Sequence, residues 1–259
     1  MSERNPVFVE ERHTQILEML SQNRKLLVDD LSRSFGVSST TIRNDLNLLS
    51  KRELLKRTHG GAVSISKVNY ELNTSEKQTR YLAEKSSIAA AADDLVEDGD
   101  TIVIDTGSTM AIFAEMLTAR NLTVVTNDLS IALMLEQHRD YRIVLLGGMM
   151  RNDYHCTLGP AAVEQLQSLH VDKAFIATNS ISAQEGLSTP DLNHADIKRH
   201  MIKAADQTIL LATGAKFGRK SFVRFAEMDE IGRIVTDASA PEDEISAIRA
   251  HGVEVIIVS

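Results

Sequence analysis

The sequence predicts an α/β chain in two parts: a small helical head closed by a β-hairpin, then a larger domain on a mainly parallel sheet. Three observations predict it. Helical apolar periodicity fills the first fifty residues and ends at a turn, His59-Gly60-Gly61. From Glu76 onward, short β-rich runs alternate with helical runs, which implies crossover units and a sheet covered on both faces. Charge divides unevenly: residues 1–70 carry 11 Lys/Arg and 8 Asp/Glu, a balance of +3, and the remainder carries −11. The expected boundaries are 8–63 for the head, 64–75 for a polar linker and 76–259 for the sheet domain.

In the head, Ile16, Leu17 and Leu20 repeat at helical spacing between Glu10 and Ser21. A second helix is read from Val28 to Phe35, with Leu31 and Phe35 on one face. Gly36 follows in the place of a C-terminal glycine with positive φ. A third helix starts near Ser38 or Ser39, either of which can cap its first turn. Along it, Ile42, Leu46 and Leu49 form an apolar stripe, opposite a hydrogen-bonding stripe of Thr40, Arg43, Asn44 and Asn47. Leu54-Leu55 and Ala62-Val63 read as the strands of the hairpin. In the sheet domain, helices are expected at 76–97, 110–117, 130–137, 160–169, 195–205 and 242–251. Strands are expected at 101–104, 122–125, 142–146, 174–177, 208–211, 234–236 and 253–258.

Composition narrows the class. An apolar content of 43% supplies a core and excludes a wholly disordered chain. The single cysteine, Cys156, excludes an internal disulfide, so a reducing cytoplasm is the expected compartment. The longest apolar run, counting glycine, is Ile143 to Met150, far short of the roughly 20 residues of a spanning helix. The charged start MSERNPVFVEER does not read as a signal peptide, and no membrane partner is expected.

A helix, a glycine turn and a helix with one apolar and one polar face form the pattern of helix-turn-helix DNA binders. A helix fits the major groove, where base edges carry distinct donor and acceptor patterns. Arg43 suits a guanine, and Asn44 or Asn47 an adenine. Ser38, Ser39, Thr40 and Thr41 lie near the positive end of the helix, where phosphate is favoured, and Thr40 and Thr41 can reach either phosphates or thymine methyls. Lys51, Arg52, Lys56, Arg57 and His59 lie in and around the hairpin, in the manner of a wing on the phosphate backbone.

The stretch VDDLSRSFGVSSTTIRNDLNLLSKRELLKRTHGGAV resembles the N-terminal domain of the DeoR family of bacterial transcriptional regulators. The matching motifs are Val37-Ser38, Thr41-Ile42-Arg43-Asn44-Asp45-Leu46 and His59-Gly60-Gly61-Ala62. Asn44 stands where many members have a second arginine, and Glu53 where a glycine is common.

In the sheet domain, Asp105-Thr106-Gly107-Ser108-Thr109 joins a strand to a helix. Small residues there let backbone N–H groups and the helix terminus approach an anion. Thr126-Asn127, Gly147-Gly148 and Asn179-Ser180 end other strands, and ligands of open parallel sheets lie outside such carboxyl ends. Lys216 supplies a cation for a phosphorylated ligand. Each of these is also an ordinary feature taken alone: a plain turn, a surface lysine. DTGST, VTN, LGG, DKAF and AKFGR are similar to the sensor domain of the same family, which implies a ribose-5-phosphate isomerase type fold. Ala212-Thr213-Gly214-Ala215 lacks the aspartate that members often carry before the lysine.

The rival reading is a sugar-phosphate isomerase with a DNA-binding head. Such catalysis needs acidic groups near the substrate carbon, and Thr178-Asn179-Ser180-Ile181-Ser182 has none. Asp105 and Glu185 remain as candidate bases outside any recognisable pair. His155-Cys156, His194 and His200 lack metal-ligand spacing, though His194 sits where it can line the pocket; no metal and no cofactor is expected. Met149-Met150 and Met201 read as core filler. The expected function is regulation of transcription, as a repressor of carbohydrate genes with an activator as a third reading, and not as an enzyme. The expected partners are an operator in double-stranded DNA, a phosphorylated sugar, and further copies of the chain as a dimer or tetramer.

Overall fold

Ile16, Leu20, Leu31, Ile42, Leu46 and Leu49, the apolar positions of the three head helices, lie buried in one cluster. The computed structural model describes residues 9–23, 25–51, 54–63, 71, 77–138 and 140–259, in two compact units, 1–67 and 68–259. The first contains α1 (Val9–Asn23), β1 (Lys25–Leu27), α2 (Val28–Phe35), α3 (Ser39–Lys51), β2 (Lys56–Thr58) and β3 (Gly61–Val63). Gly36 caps α2 in the left-handed region, φ 64°. Two expectations need correction. The first hairpin strand is Lys56–Thr58, because Leu54 N donates back to Leu49 O (2.9 Å) to close α3, and Leu55 turns into the core. The hairpin also gains a third strand: β1 pairs antiparallel with β3, in the order β1-β3-β2. Gly61 permits this pairing, since a Cβ there would stand 2.1 Å from Leu26 O.

The second unit runs α4 (Leu82–Asp93), β4 (Thr101–Ile104), α5 (Ser108–Met116), β5 (Thr123–Thr126), α6 (Leu129–Leu135) and β6 (Arg142–Leu145). It continues through β7 (Met149–Arg151), β8 (Cys156–Leu158), α7 (Pro160–Gln167), β9 (Val171–Ile176), β10 (Ser180–Ser182), β11 (Gly186–Thr189) and α8 (Leu192–Lys203). It closes with β12 (Ala205–Leu211), β13 (Val223–Ala226), β14 (Arg233–Asp237), α9 (Glu242–Ala250) and β15 (Glu254–Val258). Among the described residues, seven strands form a sheet in the order β15-β14-β12-β9-β4-β5-β6, every pair parallel. Strand alternation sends Ile102, Ile104, Phe175 and Val235 into one core with α4 and α5. Val103, Ala174, Ile176 and Ile234 face the other, with α7, α8 and α9. Apolar residues on both faces are what a parallel sheet requires.

The short strands β7, β8, β10, β11 and β13 were not expected; they form a hairpin and an antiparallel three-stranded sheet beside the main one. The expected helix 76–97 is interrupted: Lys77 and Gln78 are helical, a turn with Tyr81 at φ 53° follows, and α4 ends at Asp93. Met149 and Met150 are exposed on β7, at 72% and 52%, and only Met201 of the three expected filler methionines is in the core. No helix of the described residues is long and apolar enough to cross a membrane.

Candidate functional site

In the head, Ser38 Oγ accepts from Thr41 N (3.1 Å), which caps α3. The cap fixes the start of a helix whose Thr40, Arg43, Asn44 and Asn47 are all exposed. Lys51, Lys56 and His59 are exposed too, while Ser39 and Thr41 are half-buried; Arg52 lies outside the described residues. Arg57 Nε donates to Asn47 Oδ1 (3.0 Å) and its NH1 to Gly61 O (2.5 Å), tying the hairpin to the polar face of α3. Behind that face, Asp45 is buried and accepts from Arg12 Nε (2.7 Å), Arg12 NH2 (3.1 Å) and His13 Nε2 (2.9 Å). Burial opposes its charge, but these hydrogen bonds outweigh burial and hold its pKa below the usual carboxylate value. Arg43 thus projects from a helix pinned on its inner side by a buried ion pair.

In the sheet domain, the expected residues gather at the carboxyl ends of β12, β9, β4, β5 and β6, which are neighbours in the sheet. Asp105 ends β4 and is fully buried; it accepts from Ala177 N (2.9 Å), from Thr106 N (2.8 Å) and from Lys198 Nζ of α8. Lys198 also donates to Ala177 O (2.9 Å). Thr106 Oγ1 donates to Asp128 Oδ2 (2.7 Å), and Asp128 caps α6 through Ser130 N and Ile131 N. Burial, ahead of these hydrogen bonds, raises the Asp128 pKa. Gly107 holds φ 139°, open to glycine and strained for other residues, and so aims the start of α5, with Ser108 buried and Thr109 half-buried, across the strand ends.

The other expected residues divide. Thr126 and Asn127 are buried; Asn127 Nδ2 donates to Thr157 O (2.9 Å), but its Oδ1 has no partner in the structure. Gly147 N donates to Gln165 Oε1 (3.2 Å), and Gly148 lies beside Leu158 on the hairpin. Ser180 Oγ is 2.9 Å from Ser221 Oγ. Asn179 Nδ2 donates to Glu71 Oε1 (3.0 Å), a residue read as linker. Glu71, its side chain 5% exposed, also accepts from Lys77 Nζ (2.6 Å) and Arg151 NH1 (2.9 Å). Burial would raise its pKa; the Lys77 ammonium leads the groups that bring it down to about 2.

Arg151 also lies beside His194, whose pKa burial, then the charge of Lys198, pushes down to about 3, so the ring is neutral. Cys156 Sγ is 3.4 Å from His194 Nε2, and burial pushes its thiol up to about 12. Lys216 is brought down to about 7 by burial, then by Lys77, Lys85 and Arg219. Lys85, on the buried side of α4, is lowered to about 8 by burial and by Lys77. Among the described residues no three His, Cys, Asp or Glu side chains converge as metal ligands do. An open cleft of about 630 Å³, lined by Ala205, Gln207, Asp229 and Arg233, lies at the opposite, amino ends of the strands.

Residues 12–68 match the DeoR-like helix-turn-helix domain, and residues 80–238 match the DeoR C terminal sensor domain. The chain belongs to the DeoR family of transcriptional regulators. It is 32% identical to the uncharacterized HTH-type transcriptional regulator YulB of Bacillus subtilis, over 97% of this chain and 98% of that one. It is 31% identical to the HTH-type transcriptional repressor GlcR of the same organism, over 97% of both. It is 30% identical to the lactose phosphotransferase system repressor of Staphylococcus aureus, over 95% of this chain and 98% of that one. A solved ribose 5-phosphate isomerase of Methanocaldococcus jannaschii aligns over 51% of this chain and 53% of its own, at 19% identity and a TM-score of 0.37, too low to bear on function.

As a DeoR-family regulator the chain carries a head whose role is to meet DNA. Its sensor-domain site holds six charged residues outside the sequence-based expectations: Glu71, Lys77, Lys85, Asp128, Arg151 and Lys198. Lys198 left a signal. It shares the inner stripe of α8 with Ala195, Met201 and Ile202, and a lysine at an apolar position of a helix needs a buried partner. Lys85 carries the same signal on α4, beside Ile88, Ala89 and Ala92. Arg151 left none, since its strand is three residues long.

Proposed function

We propose that this regulator represses genes of carbohydrate use and that a phosphorylated sugar, bound across the strand ends of the sensor domain, controls its hold on DNA. One observation carries the reading: the site keeps more cations than it neutralises. Lys77, Lys85, Arg151, Lys198 and Lys216 stand against Glu71, Asp105 and Asp128, and burial already drives Lys85 and Lys216 toward their neutral forms. A phosphate dianion offsets that excess. The loop Asp105–Thr109, Thr126, Asn127, Gly147, Gly148, Asn179, Ser180 and Lys216 form the walls of the proposed site. The names of relatives agree in class: a glycerol-3-phosphate regulon repressor of Haemophilus influenzae is 30% identical over 95% of this chain.

The isomerase alternative loses support from the geometry. Asp105 is held in an ion pair with Lys198, and Glu185 is exposed near Lys220 (3.5 Å). In the head, Arg43, Asn44 and Asn47 read bases, Thr40 and Thr41 reach phosphates or thymine methyls, and Ser38, Ser39, Lys51, Arg52, Lys56, Arg57 and His59 meet phosphates. The regulator works in the cytoplasm as a dimer or tetramer that pairs its recognition helices on repeated or inverted half-sites. Control requires only that the sugar phosphate prefer the DNA-free form, with a coupling of about 1–3 kcal/mol.

The test starts from an operator recovered by selection from random duplexes. Sugar phosphates that raise Tm are then added to gel shifts on that operator. A stabilising compound should weaken DNA binding by about fivefold or more without being turned over. Turnover of any sugar phosphate, or DNA affinity that ignores every stabilising one, overturns the reading.

A further inference from the structure

Glu71 differs from the other acidic residues of the site in where it comes from. Asp105 and Asp128 sit at strand ends, whereas Glu71 lies in no helix or strand and precedes the first helix of the sensor domain, on the chain that leads back to the head. Its carboxylate is held by three donors from three separate segments: Lys77 Nζ (2.6 Å), Arg151 NH1 (2.9 Å) and Asn179 Nδ2 (3.0 Å). The donors are themselves fixed. Asn179 Oδ1 accepts from Thr189 Oγ1 (3.0 Å), which turns the amide N–H toward Glu71. The Arg151 guanidinium stacks 3.6 Å above the Tyr154 ring, and Tyr154 OH donates to Glu71 O (3.4 Å). A planar guanidinium, an ammonium and an oriented amide are the donors that a carboxylate or phosphate ligand needs. Here the chain's own side chain fills them.

We propose that Lys77, Arg151 and Asn179 form an anion-binding site that Glu71 occupies as an internal stand-in, so that an anionic group of the ligand and Glu71 compete for it. The ligand class rests on the proposed function; the competition rests on the cage. A ligand that takes these donors distinguishes two states of the chain, Glu71 seated and Glu71 displaced, and only such differential affinity lets binding at one site change another. Residue 71 lies on the covalent connection between sensor and head, so its displacement acts on chain that joins the two.

The experiment uses the full-length chain and inorganic phosphate as the probe, at fixed ionic strength. Phosphate affinity is measured by calorimetry for the wild type, E71Q, E71D and E71Q/R151M. Hydrogen exchange is followed in the peptide that contains residue 71. E71Q removes the competing charge and keeps the shape, so it should bind phosphate about tenfold more tightly or better. E71D, which keeps the charge on a shorter stem, should fall between, and E71Q/R151M should lose the gain. In the wild type, saturating phosphate should speed exchange at the residue 71 peptide. A folded E71Q that binds phosphate no more tightly, or wild-type exchange that phosphate leaves unchanged, overturns the proposal; the wild-type measurement decides even where E71Q fails to fold. If phosphate displaces Glu71 while DNA affinity ignores every sugar phosphate, the competition stands and the sugar-phosphate reading falls. The reverse pattern keeps that reading and removes the competition.

Discussion

In the head, Arg43, Asn44, Lys56 and His59 lie exposed over a core of apolar side chains, and Asp45 is paired behind them with Arg12 and His13. In the sensor domain, Lys198, Asp105, Glu71 and His194 are inside, beneath strand ends and between helices. The difference teaches where function and stability can be separated. Exposed groups over an apolar core can change with little cost to the fold, whereas a buried ionic group is at once part of the site and part of the core.

The sharpest way to break this contrast is Lys198→Met. It leaves Asp105 buried without its cation, and the sensor domain should lose about 3–5 kcal/mol, read by urea titration of hydrogen-exchange protection. Stability unchanged to within about 1 kcal/mol would show that the pair is not a structural element.

Acid should separate the two units by pH. His194 has its pKa lowered from 6.5 to about 3, so the unfolded chain takes up its proton first. Its contribution is whole above pH 6.5 and is lost as pH falls toward about 3. Glu71, lowered from 4.5 to about 2, follows below pH 4.5. The groups facing His194 are Lys198, Glu71, Arg151 and Lys77, with Cys156 in contact. In the head, Asp45 is lowered from 3.8, so its stabilisation begins to fade only below that value. Protection in the sensor domain should therefore decline from about pH 6, on the order of 3 kcal/mol, before the head responds. His194→Gln should flatten the upper part of that decline, and simultaneous loss in both units would contradict it.

Two smaller effects sharpen the other side. Ser38→Ala removes the cap of α3 and should cost the head about 1 kcal/mol. Arg43→Ala should leave the stability of both units within about 0.5 kcal/mol while removing about 1–3 kcal/mol of base discrimination in gel shifts. Unaltered operator affinity would place the reading surface elsewhere.

Periodicity carried most of the fold. The stripe Ile42, Leu46, Leu49 located α3 to within a residue, and the alternation of β-rich and helical runs located every strand of the seven-stranded sheet. It failed on the three-residue strands β1, β7 and β10, which lie outside that alternation and are too short to show a period. Ends went astray where a side chain decides them: α8 begins at Leu192, ahead of the expected Ala195, because Asp191 caps it through His194 N (2.9 Å). In the candidate site, loops with small residues were visible because their chemistry is local. Glu71 was not, because its partners lie 6, 80 and 108 residues away and only the folded chain brings them together.

Cys156 is wholly enclosed, and its sulfur stays protonated far above neutrality. Maleimides and iodoacetamides attack the thiolate, so the native chain should ignore them at pH 7. A cysteine introduced at exposed Asn44 would then be the only fast-reacting sulfur in the molecule. A fluorophore could be installed on the recognition helix in one step, with the native thiol left in place.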